Sequence, residues 1–222
     1  ASCAARARRL SENAEITVLD RGPHVSFANC GLPYYVGDVI KDEAQLLVAT
    51  TELFKQRFNI EVRVENEVLR IDRKNSSVTV KELKTGKIYH EPYDALVLAP
   101  GAAPIRPPLP GIELPGIFSL RTIPDSRRIK EWITAHQARR AVIVGCGFIG
   151  LEMAENLSNC GISVTMVEMQ PQVLPPFDPE MAQPVQTHLA DHGITLQLEE
   201  TVTAFVPGPD GTLEVHTQSG GT

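Results

Sequence analysis

The chain has 222 residues, 42% hydrophobic and 22% charged, enough for a buried core in one large or two small domains. Its formal net charge of −6 argues against a nucleic-acid or anionic-membrane surface. No apolar run approaches the roughly 18 residues of a membrane span and no signal-like n-region and h-region opens the chain, so a cytoplasmic location is the simplest expectation.

Ala1 to Leu10, rich in Ala and carrying Arg6, Arg8 and Arg9, reads as a helix. A turn over Ser11 to Ala14 leads into a strand-like run from Glu15 to Asp20, then a Gly22-Pro23 break. The run Ser26-Phe27-Ala28-Asn29-Cys30-Gly31-Leu32-Pro33-Tyr34-Tyr35 enters a second helix. Asn29 is an N-cap residue type, and Pro33 suits the first turn, where its missing N–H leaves no bond unmade. Cys30 is thereby placed at a helix N-terminus, where the partial positive charge of the backbone favours thiolate over thiol. Two readings of it stand at this point, a nucleophile and a small buried hydrophobe.

Lys41 to Phe58 carries a helical pattern in Leu46, Leu47, Leu53, Phe54 and Phe58. Short strands follow over 60–64, 67–71, 77–80 and 88–89, with Lys84-Thr85-Gly86-Lys87 as a hairpin turn. Such a β-meander commonly covers one face of a dinucleotide-binding sheet. Tyr93 to Gly101 reads as a buried parallel strand that stops at the small-residue turn Ala99-Pro100-Gly101. The run from Pro104 to Gly111 is a stiff, proline-rich linker, which puts a domain boundary between Gly101 and Phe118.

The second half is specified most sharply. Gly145-Cys146-Gly147-Phe148-Ile149-Gly150 is a G-x-G-x-x-G run that follows the apolar strand Val142 to Val144 and opens a helix through Leu157. A further strand, Ser163 to Val167, ends at Glu168, 18 residues after Gly150. That context is the dinucleotide-binding fingerprint. Gly145 makes the tight turn, Gly147 admits the pyrophosphate, and Gly150 lets helix and strand pack closely, with the helix N-terminus facing the phosphates. Glu168 suits the ribose hydroxyls, and Met169 and Gln170 supply no arginine for a 2′-phosphate, so NADH is expected over NADPH. The opening block of the chain is cognate with this one: Asp20 lies 20 residues after the position just before Ala1. The sequence is therefore expected to be a fragment without its first strand and first glycine loop.

A helix from Pro179 to His192, capped by Gly193, and strands over 194–198, 202–206 and 213–217 around a Gly208-Pro209-Asp210-Gly211 turn complete most of a nicotinamide domain. Cys3, Cys30, Cys146 and Cys160 form neither C-x-x-C pairs nor a zinc pattern with histidine, so reduced thiols and no metal are expected. The six histidines have no metal-binding spacing.

The run SFANCGLPYY resembles the active-site segment of the coenzyme A disulfide reductase branch of the flavin-dependent pyridine-nucleotide disulfide oxidoreductases, and the similarity extends over essentially the whole chain. Members similar to this sequence use a single cysteine that cycles between thiolate and a mixed disulfide or sulfenic acid, where the larger family uses a Cys-x4-Cys pair. Here Val25 and Tyr35 occupy the positions five residues either side of Cys30, which fits the single-cysteine pattern. The resemblance implies an α/β fold of tandem Rossmann-like domains (three-layer ββα), truncated at both ends. Residues 1–112 would be an FAD-binding portion and residues 113–222 an NAD(P)H-binding domain.

The resemblance also implies roles. Cys30 would be the redox-active thiol. Ser26 and Asn29 match positions that contact the pantetheine end of a CoA-type substrate. Apart from the resemblance, Arg6 and Arg9 lie at i and i+3 on one face of the first helix, which reads first as a solvated face and second as a partner for the phosphates of such a substrate. Asp20 and Ala99-Pro100-Gly101 would contact FAD. The turn also has the plain reading of a glycine after a strand. Phe148 would gate the nicotinamide pocket and Glu152 would lie near the nicotinamide, against readings as a core aromatic and a solvated helix charge. The implied activity is NAD(P)H-driven reduction of CoA disulfide or a related persulfide, by a homodimer when full length. An NADH oxidase or peroxidase using a cysteine sulfenic acid, and a nucleotide-binding redox sensor without turnover, are the alternatives.

Overall fold

A computed structural model describes residues 1–220, and these divide into two compact units. One comprises Ala1–Ala28 and Ala44–Ala102, the other Asn29–Glu43 and the chain from Ala103 onward. The architecture is mixed α/β with Rossmann-like sheets, as expected from the sequence.

In the first unit, helix α1 (Ser2–Leu10) is followed by strand β1 (Thr17–Leu19) and the short β2 (Ser26–Phe27). The chain then leaves for the second unit, where it forms α2 (Leu32–Val36). On its return, β3 (Leu47–Ala49) pairs antiparallel with β2, and α3 (Thr51–Phe58) follows. Thr50 caps α3 by accepting the Leu53 N–H at 3.2 Å, and Asn59, left-handed at φ 46°, ends it. Strand β4 (Glu61–Arg63) then runs parallel to β1. Strands β5 (Asn66–Asp72), β6 (Ser77–Glu82) and β7 (Ile88–Pro92) form the expected antiparallel meander. Arg8 closes the helical side of this unit. Its Nε donates to the Phe58 carbonyl at 2.8 Å and its Nη2 to the Asn59 carbonyl at 2.9 Å, while Nη1 reaches the Ser11 and Glu12 carbonyls. One guanidinium thus satisfies carbonyls at the C-terminal ends of both α1 and α3.

In the second unit, α4 (Ile123–His136) precedes β8 (Arg140–Val144), α5 (Phe148–Asn159), β9 (Ser163–Val167), α6 (Pro179–Asp191) and β10 (Thr195–Gln197). The three strands form a parallel sheet in the order β10-β9-β8. A hairpin of β11 (Val202–Pro207) and β12 (Leu213–Thr217) follows. Ile129, Met153, Leu157, Val164 and Met166 form the core of this unit together with Val36, which arrives from α2. Each such side chain, when fully buried, contributes roughly 1.5–3 kcal/mol. Val36 therefore ties the cysteine-bearing segment to this unit.

Three expectations are corrected. The stretch from Lys41 to Phe58 is not one helix: a 3₁₀ turn (Glu43–Leu46) and β3 precede α3, because Leu46 is fully buried and the Thr50 cap starts the helix only at Thr51. The run 93–101 forms no strand, and Leu96, Val97 and Leu98 are 38%, 64% and 67% exposed. An apolar run folds into a buried strand only when neighbouring strands pair with it, and no described strand does so. Asn29 caps nothing; it begins a 3₁₀ turn (Asn29–Gly31), and Gly31 precedes α2. Pro33 does lie in the first turn of α2. The linker forms no helix or strand, and at its end Leu109, Ile112, Leu114 and Ile117 pack against Val202, Phe205 and Val215, with the Phe205 N–H donating to the Pro110 carbonyl at 2.8 Å.

Candidate functional site

The glycine loop is braced from three directions. Gly145 turns the chain at φ 101°, and its N–H donates to the Val167 carbonyl at 2.8 Å. The N–H of Cys146 donates to Glu168 Oε2 at 2.8 Å, and its carbonyl accepts the Leu174 N–H at 2.9 Å. The Cys146 side chain is fully buried, and burial together with the Glu168 carboxylate pushes its thiol up to about 12. This thiol is an anchor for the loop.

A dinucleotide fits the surface so formed. A Cβ at Gly145 or Gly147 would meet no atom within 4 Å, so the outer side of the loop is open. A Cβ at Gly150 would collide with the Gly145 carbonyl oxygen and come within 3.4 Å of Ile143 Cγ2, which is the close helix-on-strand approach that requires glycine there. The first turn of α5 has neither a side-chain cap nor an acidic residue, so its N–H groups are left to an anion such as a pyrophosphate. Phe148, 60% exposed, and Ile149 stand at this end of the helix, and the Phe148 ring meets Phe177 edge-on at 5.8 Å. Glu152 is half-buried one turn further along. Glu168 is 8% exposed at the end of β9, with Oε1 accepting the Gln170 N–H at 3.0 Å.

Cys30 belongs to the same unit. It is exposed, in the 3₁₀ turn before α2, beside the exposed Asn29. With five residues, α2 offers far less dipole than a long helix would. What secures the segment is packing, through buried Leu32, Tyr35 and Val36, and ion pairs of Asp38 with Lys130 and of Glu43 with Arg127. Lys130 also lies 4.5 Å above the Tyr35 ring. Neither Lys130 nor Arg127 was singled out in the sequence, nor was α4. The Thr122-Ile123-Pro124-Asp125 capping box was the signal for that helix.

The remaining candidates lie in the first unit. Ser26 is half-buried in β2. Asp20 follows β1, and its Oδ1 accepts the Gly22 N–H at 2.7 Å. Ala99 and Pro100 are exposed, and Gly101 is left-handed at φ 71°. Arg6 and Arg9 are exposed on α1. Among the described residues there is no cluster of three or more His, Cys, Asp or Glu placed to hold a metal, and no helix long and apolar enough to cross a membrane.

Comparison with known proteins extends the same pattern. The chain is 35% identical over 204 residues to a coenzyme A disulfide reductase of Staphylococcus haemolyticus, covering 92% of this chain and 46% of that protein. It is 38% identical over 200 residues to an NADH oxidase of Methanocaldococcus jannaschii, covering 90% and 44%. The crystal structure of reduced Bacillus anthracis CoADR-RHD superposes with a TM-score of 0.94 at 48% identity, over 99% of this chain and 39% of that one. The chain thus spans less than half the length of these relatives. The family model described as pyridine nucleotide-disulphide oxidoreductase matches residues 1–222, and the chain belongs to that family.

Proposed function

We propose that this chain is part of a flavoprotein that uses NADH to reduce CoA disulfide, or a related persulfide or disulfide, through Cys30. The family implies FAD and NAD(P)H, and these groups supply the electron pair when bound. The observation that carries the proposal is the placement of Cys30, an exposed thiol in a segment packed onto the unit that holds the Gly145–Gly150 loop. The partition into an FAD-binding portion, residues 1–112, and an NAD(P)H-binding domain, residues 113–222, belongs to the same reading. So do the homodimer and the cytoplasmic location.

In this mechanism the Cys30 thiolate attacks one sulfur of the disulfide, forms a mixed disulfide and releases the first thiolate. A two-electron reduction of that mixed disulfide releases the second thiol and returns Cys30 to thiolate. One NADH and one proton thus convert one disulfide into two thiols. Ser26 and Asn29, flanking Cys30 in sequence, would contact the pantetheine end. The exposed guanidiniums of Arg6 and Arg9 would meet phosphates. The α5 N-terminus with Gly145, Gly147 and Ile149 would seat the dinucleotide pyrophosphate, Glu168 the ribose, and Phe148 and Glu152 the nicotinamide side. Asp20 and Ala99-Pro100-Gly101 would line the FAD portion.

The similarity to the Methanocaldococcus NADH oxidase supports a second reading, in which Cys30 cycles through sulfenic acid. NADH consumption by the full-length protein with CoA disulfide, with peroxide, or with oxygen alone separates the two. The first proposal requires CoA disulfide turnover that Cys30→Ser abolishes while NADH still bleaches the flavin. Undiminished CoA disulfide turnover in Cys30→Ser would overturn it.

A further inference from the structure

The segment carrying Cys30 sits on α5 through a contact with no slack. Gly37, just past α2, has φ −78° and ψ 8°, a backbone conformation open to any residue. Space forbids a larger one. A Cβ at Gly37 would stand 2.6 Å from Asn156 Cβ and 2.9 Å from Asn156 Cγ, with Asn156 Oδ1 closer still. Asn156 is 1% exposed within α5, and its Nδ2 donates to the Glu152 carbonyl at 2.8 Å, one turn nearer the glycine loop. Beside it, the Cys160 thiol lies 3.5 Å from the Gly37 carbonyl, a weak hydrogen bond. An asparagine is a poor helix-interior residue, and a buried amide costs free energy that an apolar side chain would not. At this position the helix tolerates one whose side chain fills the space left by a missing Cβ.

We propose that Asn156 is a positioning residue for Cys30. Wedged against Gly37, it fixes the seat of the Asn29–Glu43 segment on α5 and so the direction in which the thiol is presented. Lys130 on Asp38, the residue after Gly37, at 2.8 Å and Arg127 on Glu43 at 2.6 and 2.8 Å tie the same segment to α4, so the wedge acts on a stretch that is also held beside it. The functional meaning rests on the reading of Cys30 as the redox thiol; the seat itself does not.

The test uses full-length protein with Gly37→Ala, Asn156→Ala and both together. Alkylation of Cys30 by iodoacetamide is followed from about pH 6 to about pH 9 on the tryptic peptide Gly22 to Lys41, which contains no other cysteine. Protection of the buried Cys146 in the same digest reports that each variant is folded. Gly37→Ala is expected to change the Cys30 rate about three- to tenfold, and the double variant to return most of the way, as coupled neighbours do. An unchanged profile in Gly37→Ala, or a double variant no nearer wild type than the single, overturns the proposal. Should Gly37→Ala expose Cys146, Asn156→Ala alone decides: with Cys146 protected, an unchanged Cys30 profile refutes the wedge and a shift of about threefold or more supports it. Loss of CoA disulfide turnover as an activity of the wild type would remove the proposed function and leave the alkylation result standing.

Discussion

Glu168 Oε2 accepts the backbone N–H of Cys146 at 2.8 Å, joining the end of β9 to the middle of the glycine loop. The carboxylate placed by sequence on the cofactor ribose is therefore also a brace for the loop itself. Removing it leaves the N–H groups of Cys146 and Gln170 without acceptors. Glu168→Ala is expected to destabilise the protein by about 1–3 kcal/mol. In the full-length enzyme it should also raise the KM for NADH about tenfold while leaving NADPH less affected. Urea unfolding and paired NADH and NADPH kinetics check both. An unchanged cofactor ratio would leave Glu168 as a brace alone.

The glycine positions separate folding from binding. Gly150→Ala drives a Cβ into the Gly145 carbonyl oxygen and is expected to cost about 1–3 kcal/mol, read as a lower urea midpoint. Gly147→Ala meets nothing within 4 Å, with φ −79°, and should leave that midpoint unchanged. On the proposed reading its Cβ would enter the space meant for the pyrophosphate, so NADH binding should weaken about tenfold or more, measured by calorimetry on the full-length protein.

Cys146 predicts an alkaline weakness. Its folded thiol is held up to about 12, above the unfolded value near 8.5, so its contribution to stability is intact below about pH 8.5 and is lost as pH rises towards 12. Wild type should lose urea resistance between about pH 8 and about pH 10.5 more steeply than Cys146→Ala. In native protein at neutral pH, a thiol reagent should label Cys3, Cys30 and Cys160, which are exposed, and spare Cys146.

The cap of α4 predicts the opposite pH response. Burial works against the Asp125 carboxylate, but hydrogen bonds from Thr122 and the Arg128 ion pair hold its pKa below the ordinary carboxylate value. This stability is present above the unfolded aspartate value near 3.9 and is lost as pH falls through the lower folded one. Asp125→Asn should flatten that acid slope in urea titrations, and Thr122→Ala should cost about 1 kcal/mol at neutral pH.

The second unit was the more legible in sequence because its signals are local. Gly145, Gly147, Gly150 and Glu168 lie at fixed offsets within one strand-loop-helix-strand unit, and each appears at the structural position that the motif requires. The run Leu96 to Leu98 misled because an apolar segment becomes a strand only through partners elsewhere in the chain. The stretch around Leu46 and Leu47 misled for a related reason: β3 exists through its pairing with β2, some twenty residues earlier, and no periodicity within Lys41 to Phe58 reveals that. Gly37 and Asn156 were invisible in sequence, since each is unremarkable until the other is beside it.

Because Asn29–Glu43 belongs with the chain from Ala103 onward, neither compact unit is a continuous stretch of polypeptide. During synthesis the cysteine-bearing segment emerges long before α4, α5 and the strand that separates them, and it has no core to join until they follow. Until then Leu32, Tyr35 and Val36 are apolar side chains without a home. A recombinant piece beginning at Ala103 would carry the converse defect, a nucleotide-binding sheet with a vacancy where Val36 should be.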